Sequence, residues 1–150
     1  MVTEEDIIAD KTMPRYPTEE EIMSMEQKFK PEIIKMVKEW KKIVWKNKTF
    51  PDIKTEFIQL KILAIALGAN YNKPIKVIYK PSLDSCCYSP TLKTIFINQS
   101  TSIISLLHEF AHHLFGNSEL KACRWSVWLF KKTFPKSFAK LKWKGHMLVK

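Results

Sequence analysis

Residues 105–119 read Ser-Leu-Leu-His-Glu-Phe-Ala-His-His-Leu-Phe-Gly-Asn-Ser-Glu and hold His108, Glu109 and His112 in the order H-E-x-x-H. On a helix, residues four apart share a face, so both imidazoles can point at one metal ion. Glu109, one position on, lies to the side, where a carboxylate can hold a metal-bound water and take its proton. His113 stands about 100° around the helix from His112 and cannot join that pair. At the same 100° per residue, Ile103, Leu107, Phe110 and Leu114 fall within about 60° of one another and form a core face. His108 and His112 lie roughly opposite. That placement weakens the reading of satisfied core histidines and favours a metal pair, with a pair of surface-exposed side chains as the alternative.

A tetrahedral catalytic zinc takes three protein ligands and leaves the fourth place to water. Glu119 is the candidate third ligand. It follows a Gly116-Asn117 break, so the next helix can fold back and present it, and it is the last side-chain carboxylate of the chain. Glu119, Ala122 and Ser126 form one stripe whose small members allow close approach to the histidine helix. The plainer alternative is an acid near a helix start, favoured by the dipole by about 0.3–1 kcal/mol.

The elements that carry these residues follow from the local pattern. Thr18 with Glu21 forms a capping box that opens a helix over residues 18–30. Pro31 starts a second helix, with Ile33, Val37, Trp40 and Val44 on one face. Asp52 caps a third, with Ile53, Phe57, Leu60 and Ala64 at helical spacing, and Gly68 ends it. The period then changes, and residues 75–79, 86–89 and 94–98 read as strands. Ser100 or Thr101 caps the histidine helix, Gly116-Asn117 ends it, and Ser118 caps a helix reaching about Lys132. Residues 136–150 fit either a strand (Ala139, Leu141, Trp143 alternating with lysines) or a helix (Phe134, Phe138, Leu141). The expectation is an α+β fold: N-terminal helices, a small three-stranded and mostly antiparallel sheet, then an active-site helix and a backing helix. Residues 1–17, with Pro14 and Pro17, read as an irregular arm, and 18–150 as a single domain with a basic tail from about residue 134.

A sheet followed by a helix bearing H-E-x-x-H resembles the zincin metallopeptidase superfamily, over roughly residues 75–133. Glu119-Leu-Lys-Ala122 resembles the E-x-x-A element of gluzincin-type peptidases, including the ImmA/IrrE group, at a much shorter spacing. The run from His108 to Gly116 resembles the H-E-x-x-H-x-x-x-G turn of WLM-type peptidases, relatives of the SprT proteases; the position of their third histidine is Ser118 here, with Glu119 beside it. The resemblance implies zinc on His108 and His112, Glu109 as general base, and an edge strand, Thr94, Ile95, Phe96, Ile97 and Asn98, pairing with an extended polypeptide substrate. Tyr88, His113 and His146 are the candidate donors to the oxyanion.

Composition bounds the partners. The 150 residues suffice for one buried core, and 45% hydrophobic with 27% charged content fits a soluble globular chain. The longest apolar run, residues 62–68, is far short of a membrane span. The acidic start is unlike a signal peptide, and three cysteines (Cys86, Cys87, Cys123) are too few for a disulfide framework, so the cytoplasm is expected. As neighbours on a strand, Cys86 and Cys87 point to opposite faces. Net charge is +10. Residues 1–30 carry eight acids against four bases, whereas nine bases and no side-chain acid follow Glu119. That tail suits acidic or phosphate-rich partners, nucleic acid among them. A basic nucleic-acid-binding protein with a structural or degenerate zinc site is the competing reading, with Trp125, Trp128, Phe130, Phe134, Phe138 and Trp143 as stacking surfaces.

Overall fold

The structure, a computed structural model, describes residues 16–46 and 53–149. Thr18 does open the first helix, α1 (Glu19–Met23), through a capping box with Glu21. The helix stops well short of residue 30 because a neighbour takes its last carbonyls. Arg124 Nε donates to the Glu21 carbonyl at 2.9 Å and Trp128 Nε1 to that of Ile22 at 3.1 Å. Side chains from elsewhere in the fold thus do what a further helical turn would have done.

Helix α2 (Pro31–Lys46) starts on its proline and buries Ile33 and Val37. Helix α3 (Ile53–Asn70) packs beside it, with Phe57, Leu60, Leu63, Ala64 and Leu67 in the core. The expected Asp52 cap and the side chain of Val44 lie outside the described residues. Gly68 does not end α3. The helix runs two residues further and closes through Asn72, which takes the left-handed conformation (φ 56°) while the Lys73 N–H bonds the Gly68 carbonyl at 2.8 Å. Gly68 serves a different purpose: a Cβ there would stand 2.7 Å from the Lys73 carbonyl oxygen, so the returning chain needs the missing side chain.

Three short strands follow, β1 (Lys76–Tyr79), β2 (Cys87–Ser89) and β3 (Thr94–Ile97). Their order is β1-β3-β2, with β1 parallel and β2 antiparallel to β3. The sheet is mixed rather than mostly antiparallel. More consequentially, the strand formed by Thr94, Ile95, Phe96 and Ile97 is the central one and not an edge. Thr94, Ile95 and Ile97 are buried, and the strand carries no charge, as a strand paired on both sides requires. Asn98 is also buried and fully engaged. Its Nδ2 donates to the Leu83 carbonyl, and its Oδ1 accepts from Ser100 and Thr101, which pins the loop leading to β2.

Because Thr101 bonds Asn98, the cap of the next helix falls to Ser102, whose hydroxyl accepts from the Ser105 N–H. Helix α4 (Ile103–Phe115) carries the histidines, Gly116 ends it at φ 78°, and Ser118 caps α5 (Glu119–Thr133). Leu106, Leu107, Phe110 and Ala111 are fully buried, while Ile103 and Leu114, at the helix ends, are only partly so. Both readings of the C-terminal region are realised in sequence. A short helix α6 (Pro135–Ala139) precedes a hairpin of β4 (Lys142–Lys144) and β5 (Met147–Val149) that turns at Gly145. Trp143 and Leu148 pack with Phe138 onto a satellite core of Ile22, Cys123 and Val127. Among the described residues, no helix is long and apolar enough to cross a membrane.

Candidate metal centre

Helices α4 and α5 are joined by three residues and pack against each other, and the stripe facing α4 from α5 is small. Ala122 and Ser126 are buried, and the Ser126 hydroxyl is satisfied within its own helix by the Ala122 carbonyl at 2.8 Å. This close approach puts Glu119, the first residue of α5, over the solvent-facing side of α4. One carboxylate oxygen lies 3.2 Å from His108 Nε2 and the other 3.0 Å from His112 Nε2. Ligand atoms of the three residues all fall within 4.8 Å of one another, so the group could hold a metal ion. Donors about 2.0–2.1 Å from a tetrahedral ion stand about 3.4 Å apart, and the two histidine–Glu119 spacings need only a small expansion to reach that.

The other nitrogen of each imidazole settles its orientation. His112 Nδ1 donates to the Gly116 carbonyl at 2.7 Å, which leaves Nε2 as the nitrogen turned to Glu119. His108 Nδ1 faces Cys123 Sγ at 3.9 Å. Without an ion the group behaves as a charge pair. Hydrogen bonds from both histidines hold Glu119 well below the usual carboxylate range, and the Glu119 bond raises His112 against the opposing effect of burial. Glu109 is different. Its burial pushes its pKa up, resisted by the two histidines, with the Tyr88 backbone N–H directed toward it.

Glu109 and Glu119 line two adjoining clefts. One, of about 380 Å³, runs past His108 to the β4–β5 hairpin and is walled by Cys86, His146 and Met147. The other, of about 580 Å³, runs past His112 to Tyr88 and Lys73. The three oxyanion candidates thus part company. Tyr88 lies in the second cleft with its hydroxyl 2.7 Å from His113 Nδ1. His113 has both ring nitrogens committed, Nε2 donating to the Lys73 carbonyl at 3.0 Å and Nδ1 accepting from Tyr88, so it supports Tyr88 rather than facing a substrate. His146 lines the first cleft and stacks on Tyr16, ring centroids 4.1 Å apart.

Sequence reasoning missed the hairpin wall, the Gly116 carbonyl as the partner of His112, and Cys123 beneath His108. Cys123 sits four residues after Glu119, one helical turn on, which was the available signal. Burial raises its thiol to about 12, and burial together with the nearby Glu109 raises that of Cys86 to about 11. Both are neutral thiols. Cys86, which stands just before β2 rather than in it, lines the first cleft, and the exposed Cys87 lines the second. No family model, curated protein or solved structure matches the chain.

Proposed function

We propose that the chain is a zinc-dependent metallopeptidase of zincin type. The observation that carries this reading is the convergence of His108 Nε2, His112 Nε2 and the Glu119 carboxylate from two helices, with Glu109 beside them. Two imidazoles and a carboxylate are a donor set that suits zinc and leaves a coordination place open. Held by His108, His112 and Glu119, zinc would supply Lewis acidity and make a water there more acidic. Glu109, its pKa raised by burial, accepts the proton of the attacking water and returns it to the leaving amine. Tyr88, held by His113, and His146 are the side chains on either side that can donate to the developing oxyanion.

The extended substrate pairs with β2 rather than β3. β2 is the antiparallel edge of the sheet, and Cys87 and Tyr88 line the cleft that contains Glu109 and His112. Three free cysteines suit a reducing compartment such as the cytosol. Metal analysis of the purified protein tests the centre: one equivalent of zinc is expected, and it is lost in His108→Ala. Glu109→Gln should keep the zinc and lose at least about 10²-fold in peptide hydrolysis. Undiminished turnover in that variant would discard the mechanism.

A further inference from the structure

The β4–β5 hairpin is the part of the cleft wall that the proposed chemistry does not use. Its register pairs Trp143 with Leu148 and Lys144 with Met147. Side chains alternate along a strand, so Trp143 and Leu148 turn one way, into the satellite core, while Lys142, Lys144 and Met147 share the outer face. Met147 lines the cleft together with His108 and Glu109, and Leu148 lines it from the other face of the strand, so the hairpin presents parts of both faces to it. Lys144 is directly opposite Met147, where Cβ atoms stand about 4.5–5.5 Å apart, and Lys142 is two residues along the same face. Both lysines are exposed.

No side-chain carboxylate follows Glu119 in the sequence. Among the described residues, the one lysine of this region in an ion pair with a carboxylate is Lys132, 3.0 Å from Glu26, and Lys131 lies over the Trp128 and Phe138 rings. Lys142 and Lys144 have no such partner among the described carboxylates. The acids of the cleft itself, Glu109 and Glu119, belong to the metal centre. Among the described residues, the rim on the hairpin side therefore carries two exposed lysines, beside the cleft-lining Met147, that no side-chain carboxylate pairs with.

We propose that this hairpin selects the substrate: Lys142 and Lys144 favour polypeptides carrying Asp or Glu on one side of the bond to be cut. The inference rests on the peptidase reading above and names the substrate class for that same site. An acidic polypeptide fits better than nucleic acid because the aromatic residues of the region are not a stacking platform. Trp125 and Phe130 are buried, Trp128 is bonded to the Ile22 carbonyl, and Phe138 and Trp143 pack on the satellite core. What remains outside is charge and one exposed ring, Tyr16, whose face is already taken by His146; that surface recognises carboxylates as readily as phosphates and offers no run of free rings for stacked bases.

The test is cleavage of a proteome-derived peptide mixture by the zinc-loaded full chain, read by mass spectrometry. Asp and Glu should be enriched several-fold on one side of the cleaved bonds, and the K142E/K144E variant should lose or invert that preference. No acidic enrichment, or the same enrichment in the variant, overturns the proposal and leaves the peptidase reading standing. If the wild type cleaves nothing, the peptidase reading fails and binding alone decides the hairpin. The zinc-loaded Glu109→Gln protein is then titrated with fluorescent dodecapeptides of alternating Ala and Glu or alternating Ala and Gln. The Glu peptide should bind about tenfold tighter at low salt, and K142E/K144E should abolish the difference. Equal binding of the two peptides overturns the proposal, and so does tighter binding of an oligothymidylate of the same length.

Discussion

On one flank of the candidate metal centre, hydrogen bonds tie three elements into a fixed frame; on the other, a small hairpin leans on aromatic and apolar contacts. The first flank runs from Tyr88 on β2 through His113 on α4 to the Lys73 carbonyl at the end of α3, and Lys73 Nζ bonds back to the Leu114 carbonyl at 3.3 Å. His113 also packs on Phe110, whose ring meets Tyr71 and Trp125 in the main core. The second flank is β4–β5, held by Trp143 and Leu148 on the satellite core and by the Tyr16–His146 stack. Directional bonds anchored in the main core keep a reacting geometry constant. A hairpin resting on a minor cluster should open at lower free energy than such a frame. The centre between them depends on the α4–α5 junction more than on either flank.

The largest effect should come from that junction. Glu119→Ala removes the proposed third ligand and should weaken zinc binding by more than the about 10–100-fold that loss of a supporting hydrogen bond costs, measured by competition with a chelating dye. A variant that keeps wild-type affinity would move the third ligand elsewhere and leave the two flanks without a shared centre. The same assay has a pH signature. Binding needs neutral His112, whose pKa lies above its ordinary value because of Glu119, so zinc affinity should begin to fall with decreasing pH already above about 6.5. In the metal-free protein the signs are opposed. The Glu119 contribution is complete above about 4.3 and is lost as pH falls through its lowered folded value. That of His112 is complete below about 6.5 and is lost as pH rises through its raised one. The pair therefore contributes most to stability between about pH 4.3 and 6.5, which urea unfolding across pH would show.

Next in size is the hydrogen-bonded flank. His113→Ala leaves the Tyr88 hydroxyl and the Lys73 carbonyl without their partner and should cost about 1–3 kcal/mol in urea unfolding, with zinc content unchanged. Loss of zinc in this variant would show that the frame holds the ligands as well as Tyr88. Smallest is the hairpin flank. Tyr16→Ala removes an exposed stack and should cost no more than about 0.5–1.5 kcal/mol globally, while hydrogen exchange at residues 142–149 accelerates and zinc affinity stays constant. A cooperative loss of stability instead would place the hairpin in the main core and erase the contrast between the flanks.

The histidine helix was legible in the sequence because everything it needs is local. The 3.6-residue period puts Leu107 and Phe110 on one side and His108 and His112 on the other, and the Gly116 break and Ser118 cap follow from backbone chemistry within a few residues. Glu119 could be named as the third ligand from its place after that break, and the structure brings it to both imidazoles. What the sequence could not settle was which element lies beside which. Residues 94–97 form a strand in either reading; only pairing with β1 on one side and β2 on the other makes it central and passes the edge to β2. Helix α1 ends at Met23 because Arg124 and Trp128, about a hundred residues away, take its carbonyls. The hairpin reaches the cleft because Trp143 and Leu148 find Ile22, Cys123 and Val127. Local spacing determines where a side chain points within its own element, since the backbone geometry is fixed there. The partners of an element are chosen among contacts of similar energy far apart in the chain, and that choice was made only when the tertiary structure formed.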